Sequence, residues 1–196
     1  MKFWQIIPVA AAMSLCVLPG CEDTNHTYSI DRKSVDGLPT VVATESSTAK
    51  ATVEAVDYAN RSIALQGPNG VTQIFAVSPM VRNLMQVKKG DTVHVDYATR
   101  LAASVRKTTD QPETTRVDSV QLAELGKKPG IVCTRNARVE ATVERIDYET
   151  RQVDLKTTTG TMMHLTANKE LKDLENVHKG DQVVFDYSEA IVIQVQ

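Results

Sequence analysis

Aromatic side chains are scarce in this chain of 196 residues, at 5%, and its single tryptophan is Trp4. Base is not in excess either: 22 Lys and Arg stand against 24 Asp and Glu. A nucleic-acid groove needs both a basic surface and stacking rings, so neither composition nor charge points to such a partner. Cysteine occurs three times, at Cys16, Cys21 and Cys133, too few and too scattered for a disulfide framework. The longest apolar run, 6–18, falls short of the roughly 20 residues a membrane-spanning helix requires. The nucleophile elbow G-x-S-x-G and the zinc motif H-E-x-x-H are missing, and Gly126-Lys-Lys-Pro-Gly130 lacks phosphate-loop spacing. No catalytic residue is assigned, and the chain reads as a non-enzyme.

Lys2, the apolar run and Leu18-Pro19-Gly20-Cys21 have the layout of a secretory leader spanning 1–20. Removing it takes away one base and no acid, so the net charge becomes 21 minus 24, or −3. Leu18 and Gly20 ahead of Cys21 resemble the lipobox of bacterial lipoproteins, although Pro19 departs from the usual small residue. The resemblance implies a lipidated Cys21 and a chain held in the bacterial cell envelope, facing the periplasm. Buried acyl carbons contribute about 0.8 kcal/mol per CH₂, so several chains anchor firmly. Glu22 and Asp23 would, by the same resemblance, bias sorting toward the inner membrane. Cys133 is then the one remaining thiol, in a place where the earlier copy of a repeat has Ala43.

That repeat is the dominant feature of the chain. Ala51-Thr-Val-Glu54 returns as Ala141-Thr-Val-Glu144, Lys89-Gly90-Asp91 as Lys179-Gly180-Asp181, and Asp96-Tyr97 as Asp186-Tyr187, all 90 residues apart without a gap. The copies are placed at 39–105 and 129–196. A polar tether at 21–38 and a linker at 106–128, in which Val117 to Leu125 has the pattern of a short strand or helical turn, complete the organisation. Within each copy, period-2 alternation predicts strands. In the first these are 41–56, 62–66, 72–77, 92–97 and 101–105, with a helical turn at 79–87. Asp57 and Arg61, like Asp147 and Arg151, flank a hairpin. Gly90-Asp91 and Gly180-Asp181 fit tight turns, where glycine supplies the backbone angle. These eight residues are read as structural.

Three strands, a helical turn and two strands is the order of an OB-type barrel, and an SH3-like barrel fits the pattern too. The expected fold is therefore all-β, with one short helix per repeat, as two tandem five-stranded OB-like barrels. The cadence x-V-x-x-I-D, V-x-L and K-x-G-D-x-V-x-F over Val143 to Phe185 is similar to that of small periplasmic barrels, including the copper chaperone of the Cus efflux system. That resemblance implies a Met- and His-based copper site. Met162 and His164 share one face of a strand, and a thioether beside an imidazole suits Cu(I). Met163 or His178 would have to supply a third donor, and the tryptophan cap of that family is missing. The leading expectation is a binding module for an envelope protein or glycan, with no resident cofactor. Copper binding by the second copy is the alternative.

Overall fold

A computed structural model describes residues 25–196. The described residues form one open ten-stranded antiparallel sheet, in the order β4-β3-β2-β5-β10-β7-β8-β9, with β1 added to β2 and β6 to β7. In the first half, β1 is Asn25–Val35, β2 Leu38–Asp57, β3 Ser62–Gln66, β4 Thr72–Ala76 and β5 Thr92–Arg106. In the second, β6 is Thr114–Leu122, β7 Gly130–Asp147, β8 Gln152–Thr157, β9 Met162–Thr166 and β10 Gln182–Val195. A single 3-10 turn, Leu84–Gln86 or Leu174–Asn176, precedes the last strand of each half.

The two expected barrels are not there, and the reason lies in three residues of each copy. A barrel needs the chain to turn back between 97 and 101. Ala98-Thr99-Arg100 and Ser188-Glu189-Ala190 contain no Gly, Pro, Asn or Asp to make that turn. The expected fourth and fifth strands are instead one strand of 15 residues, β5, and β10 is its counterpart. Each runs straight out of its own half and pairs with the other, Val93↔Val195 at one end and Arg106↔Gln182 at the other. Among the described residues β4 and β9 pair on one side only, so neither half closes. The likeness to OB barrels and to the Cus chaperone falls with closure, and nothing in the described fold carries a lipoprotein likeness in its place. The leader and Cys21 lie outside the described residues. No helix among the described residues is long and apolar enough to cross a membrane.

The duplication extends further than its sequence echo. Ile30 pairs with Ala43 and Val120 with Cys133, again 90 residues apart. Stretches read as tether and linker therefore supply an equivalent strand to each half. Thr99 pairs with Glu189, which is its own counterpart 90 residues on. A local twofold axis thus passes between them, and the chain has the geometry of a dimer fused into one polypeptide.

Two cores result, one at each end of the central sheet. The first gathers Val53, Ile63, Leu84, Val87 and Val93; the second gathers Ala141, Val143, Val153, Leu155, Leu174 and Val177. Each is finished by the other half: Ile193 and Val195 pack on the first core, and Val105 packs on the second. Hairpin tips cross over as well. The Asn83 amide donates to the Glu124 carbonyl at 2.7 Å, and the Asn176 amide to the Gly37 carbonyl at 2.8 Å. At Glu54 and Glu144 the long strands bulge and exchange partners. There the Lys-Gly-Asp turn closes on them: Gly90 N–H donates to the Val53 carbonyl and Gly180 N–H to the Val143 carbonyl, both at 2.8 Å. Gly90 and Gly180 hold φ of 91° and 95°, a region that side chains disfavour.

Candidate functional site

The recurring residues brace the turns of each half. Asp57 accepts from the Asn60 backbone N–H at 2.9 Å, and Asp147 from the Glu149 and Thr150 N–H groups at 3.0 Å. Arg61 and Arg151 do not pair with these aspartates. Arg61 donates to the carbonyls of Val77, Ser78 and Val81, and Arg151 to those of Ala167, Asn168 and Leu171. Asp91 accepts from the Lys88 N–H and pairs with Lys128 at 2.7 Å. Asp181 accepts from the His178 N–H and pairs with Lys107 at 2.5 Å. Tyr97 and Tyr187, expected at strand ends, lie mid-strand beside the local twofold axis.

The Thr150 backbone N–H, with the Thr150 side chain behind it, holds the Asp147 carboxyl below the usual carboxylate range. A carboxyl depressed in the folded state stabilises above its unfolded value, near pH 4, and that contribution fades as the pH falls through the folded value. Asp147→Asn is therefore expected to melt below the wild type at pH 7, with the gap narrowing toward pH 3. A gap that widens in acid would contradict the assignment.

Met162 and His164 do share the outward face of β9. The His164 ring, through Nδ1, is 2.7 Å from Asp154 Oδ1, and Asp154 also takes Arg145 Nε at 2.9 Å. Those two partners, His164 first, keep the Asp154 carboxyl low. Met163 turns inward and packs on the second core, while His178 sits by Lys107 and Asn176. Neither brings a third soft donor to the pair. Among the described residues, no group of three or more His, Cys, Asp and Glu is placed to hold a metal. Cys133 is free and half-buried, facing Val120 and Ile191 across the ladders.

On one face of the central sheet, at the twofold axis, runs a polar row. Glu45, Thr99, Glu189, Arg135 and Asp118 occupy successive strands in register. Arg135 donates to Glu189 at 3.2 Å, and the Tyr187 hydroxyl donates to the same carboxylate at 2.9 Å. Burial, reinforced by that bond, raises the Tyr187 phenol above its ordinary value. Arg135 Nε is 3.6 Å from Asp118, within reach of its charge but too far for a hydrogen bond, and it has no other partner. Every charge in this row that faces a neighbour is already engaged, which marks the row as a structural seam.

The opposite face carries an open groove of about 800 Å³ over β5, β10, β7 and β6. One wall is the segment 107–113, which crosses the sheet and is held down by buried polar groups. Glu140, 5% exposed, accepts from Arg106 at 2.5 Å and from the Glu113 N–H at 3.1 Å. Gln182, 2% exposed, donates through its amide to the Asp110 carbonyl. Buried polar groups are costly unless satisfied, so this wall is fixed by its own hydrogen bonds. β6 forms the far rim, where Val117 is exposed.

The floor is a register row. Arg100 on β5 faces Ser188 on β10, which faces Asn136 on β7. Directly opposed residues on antiparallel strands are about 5 Å apart, so the row spans roughly 10 Å. Their side chains make no hydrogen bond or ion pair among the described residues. One row further in, Arg138 clamps Asp186 through two bonds, at 2.7 and 3.1 Å. That pair is half-exposed and worth at most about 1 kcal/mol, so it shapes the floor more than it stabilises the fold.

The first half has no such groove chemistry. At the equivalent places, 90 residues away, it carries Lys50 for Glu140, Thr92 for Gln182, Thr48 for Arg138 and Ser46 for Asn136; Ala190 likewise answers to Arg100. Motif reading missed these residues because they recur in neither copy and come from three strands far apart in sequence. A position-by-position subtraction of the two copies was the available signal. No family model, curated protein or solved structure matches the chain.

Proposed function

We propose that this protein is a non-enzymatic binding module of the bacterial cell envelope. It is held to a membrane through lipidated Cys21 and takes its envelope partner in the groove over β5, β10, β7 and β6. The observation that carries this reading is the uncommitted row Arg100–Ser188–Asn136 beneath a wall fixed by Glu140 and Gln182. Donors without partners among the described residues, set beside a wall fixed by its own hydrogen bonds, are preorganised for a ligand. The leader layout and Cys21 support the location.

A photo-crosslinking side chain at Val117, on the groove rim, is compared in intact cells with one at Ile74, which is 76% exposed on β4 of the first half. The reading expects a discrete adduct from position 117 and none from position 74. Equal labelling at both would remove the groove from the function. In the same cells, Cys21→Ser is expected to move the protein from the membrane to the soluble fraction. A variant that stays with the membrane would end the anchoring claim.

A further inference from the structure

Only residues 22–24 separate Cys21 from Asn25, the first residue of β1. Four steps of chain reach at most about 14 Å, so an acylated Cys21 holds Asn25 within that distance of the bilayer. β1 and β3 lie along the same edge of β2. Thr48 pairs with Asn25 on that edge and with Asp96 of β5 on the other; Thr52 pairs with Gln66 of β3 and Thr92 of β5 in the same way. Four residues of β2, about 13 Å, therefore lie between the levels of Asn25 and Gln66. β1 runs antiparallel to β2, so the chain enters β1 from the side of the β3–β4 hairpin. That hairpin is also chemically unlike its counterpart. Residues 62–81 contain no Asp, Glu, Lys, Arg or His, and Val71, Ile74 and Met80 are exposed within them. Ile63 and Phe75 pack on the first core, so alternation sends Ala64 and Ile74 outward. The outward row is Ala55–Ala64–Ile74, where the second half has Arg145–Asp154–His164.

Resting on the lipidated Cys21 of the proposed function, we infer that the outward face of the β3–β4 hairpin lies against the lipid bilayer. Charged groups are costly to bring into the boundary between headgroups and acyl chains, and this face has none to bring. The acyl chains hold the face near the surface, and Val71, Ile74 and Met80 add apolar contact with it. Ile74, at 76% exposed, is the large apolar side chain most open to solvent among the described residues. An exposed apolar patch marks a contact surface, and the short reach from Cys21 says which surface this one meets. The anchor then sets an orientation as well as an attachment. β6, the groove rim, lies five strand spacings from β1, about 24 Å along the sheet, and so stands clear of the anchored edge.

The test uses the full chain, matured in cells and reconstituted into phosphatidylethanolamine–phosphatidylglycerol vesicles. In a Cys133→Ala background, a polarity-sensitive fluorophore is attached through Ile74→Cys or through His164→Cys. At position 74 the emission is expected to shift to the blue and to be quenched by nitroxides carried on the lipid. At position 164 it is expected to stay as in water and to escape quenching. Equal quenching at the two positions, or stronger quenching at 164, overturns the inference. A second arm combines Ala55→Arg, Ala64→Asp and Ile74→His, with the fluorophore attached through Val71→Cys. The second half shows that this charged row fits such a hairpin, so the melting temperature should hold. Quenching at position 71 is expected to be strong without the transplanted row and to fall with it to the level of position 164. Quenching that survives the transplant overturns the inference as well. The anchor is judged separately, by the fractionation of Cys21→Ser. If that variant leaves the membrane while position 74 stays unquenched, the chain is anchored and the hairpin is not docked. If it stays with the membrane, the anchor fails and the docked face with it.

Discussion

A chain that stops at Glu189 will not fold in either half. The deletion removes residues 190–196, which pair with β5 on one side and β7 on the other. It also takes Ile193 and Val195 away from the first core, although that core is otherwise built from residues 53–95. Two such side chains contribute up to about 3–6 kcal/mol if fully buried, and these are only partly so. The lost ladders leave two long strands with open edges at the centre of the sheet. Against a total stability of about 5–15 kcal/mol for a domain, that loss is not survivable. The expected spectrum is one of collapsed amide dispersion throughout. Dispersed, native-like signals from Val53 and Ile63 in the truncated chain would show that the first half stands alone, and the interlocked fold would be wrong.

Leu155→Ala should cost about 2–5 kcal/mol, because Leu155 is wholly buried at the centre of the second core and its removal leaves a cavity. For a protein of this size each kcal/mol shifts the melting temperature by about 2–4 °C, so a fall of roughly 4–20 °C is expected. The shape of the transition matters as much as its position. Val105 lies in the second core and Ile193 in the first, each on a strand that pairs with the other. Damage to one core must therefore reach the other, and calorimetry should show one transition moved as a whole. A first half that melts separately at its original temperature would refute the coupling.

The strand from Ser62 to Gln66, the Lys-Gly-Asp turns and the 90-residue echo are all legible along the chain itself, because each is a local pattern. Gly90 and Gly180 are needed by the backbone at their own positions, and alternation along β3 needs only its own residues. Partner choice is different. Val93, Val95, Ala103 and Val105 alternate in the same way whether the strand folds back on its own half or continues into the next. The alternation therefore suited the barrel and the open sheet equally well. Only the lack of a turn former at 98–100 favoured continuation, and that is a weak cue beside a familiar strand order. The groove was hidden for a related reason. Arg100, Asn136 and Ser188 become neighbours only when β5, β10 and β7 lie side by side.

The sequence by itself determined the strands, the tight turns and the fact of duplication, since hydrophobic period and glycine geometry act over a few residues. The tertiary structure alone decided that the two copies share their last strands and finish each other's cores. It also decided which face would carry unpaired polar groups. Those outcomes depend on pairings between residues about 90 positions apart, where the free energy belongs to the contact between strands and not to either strand's own composition.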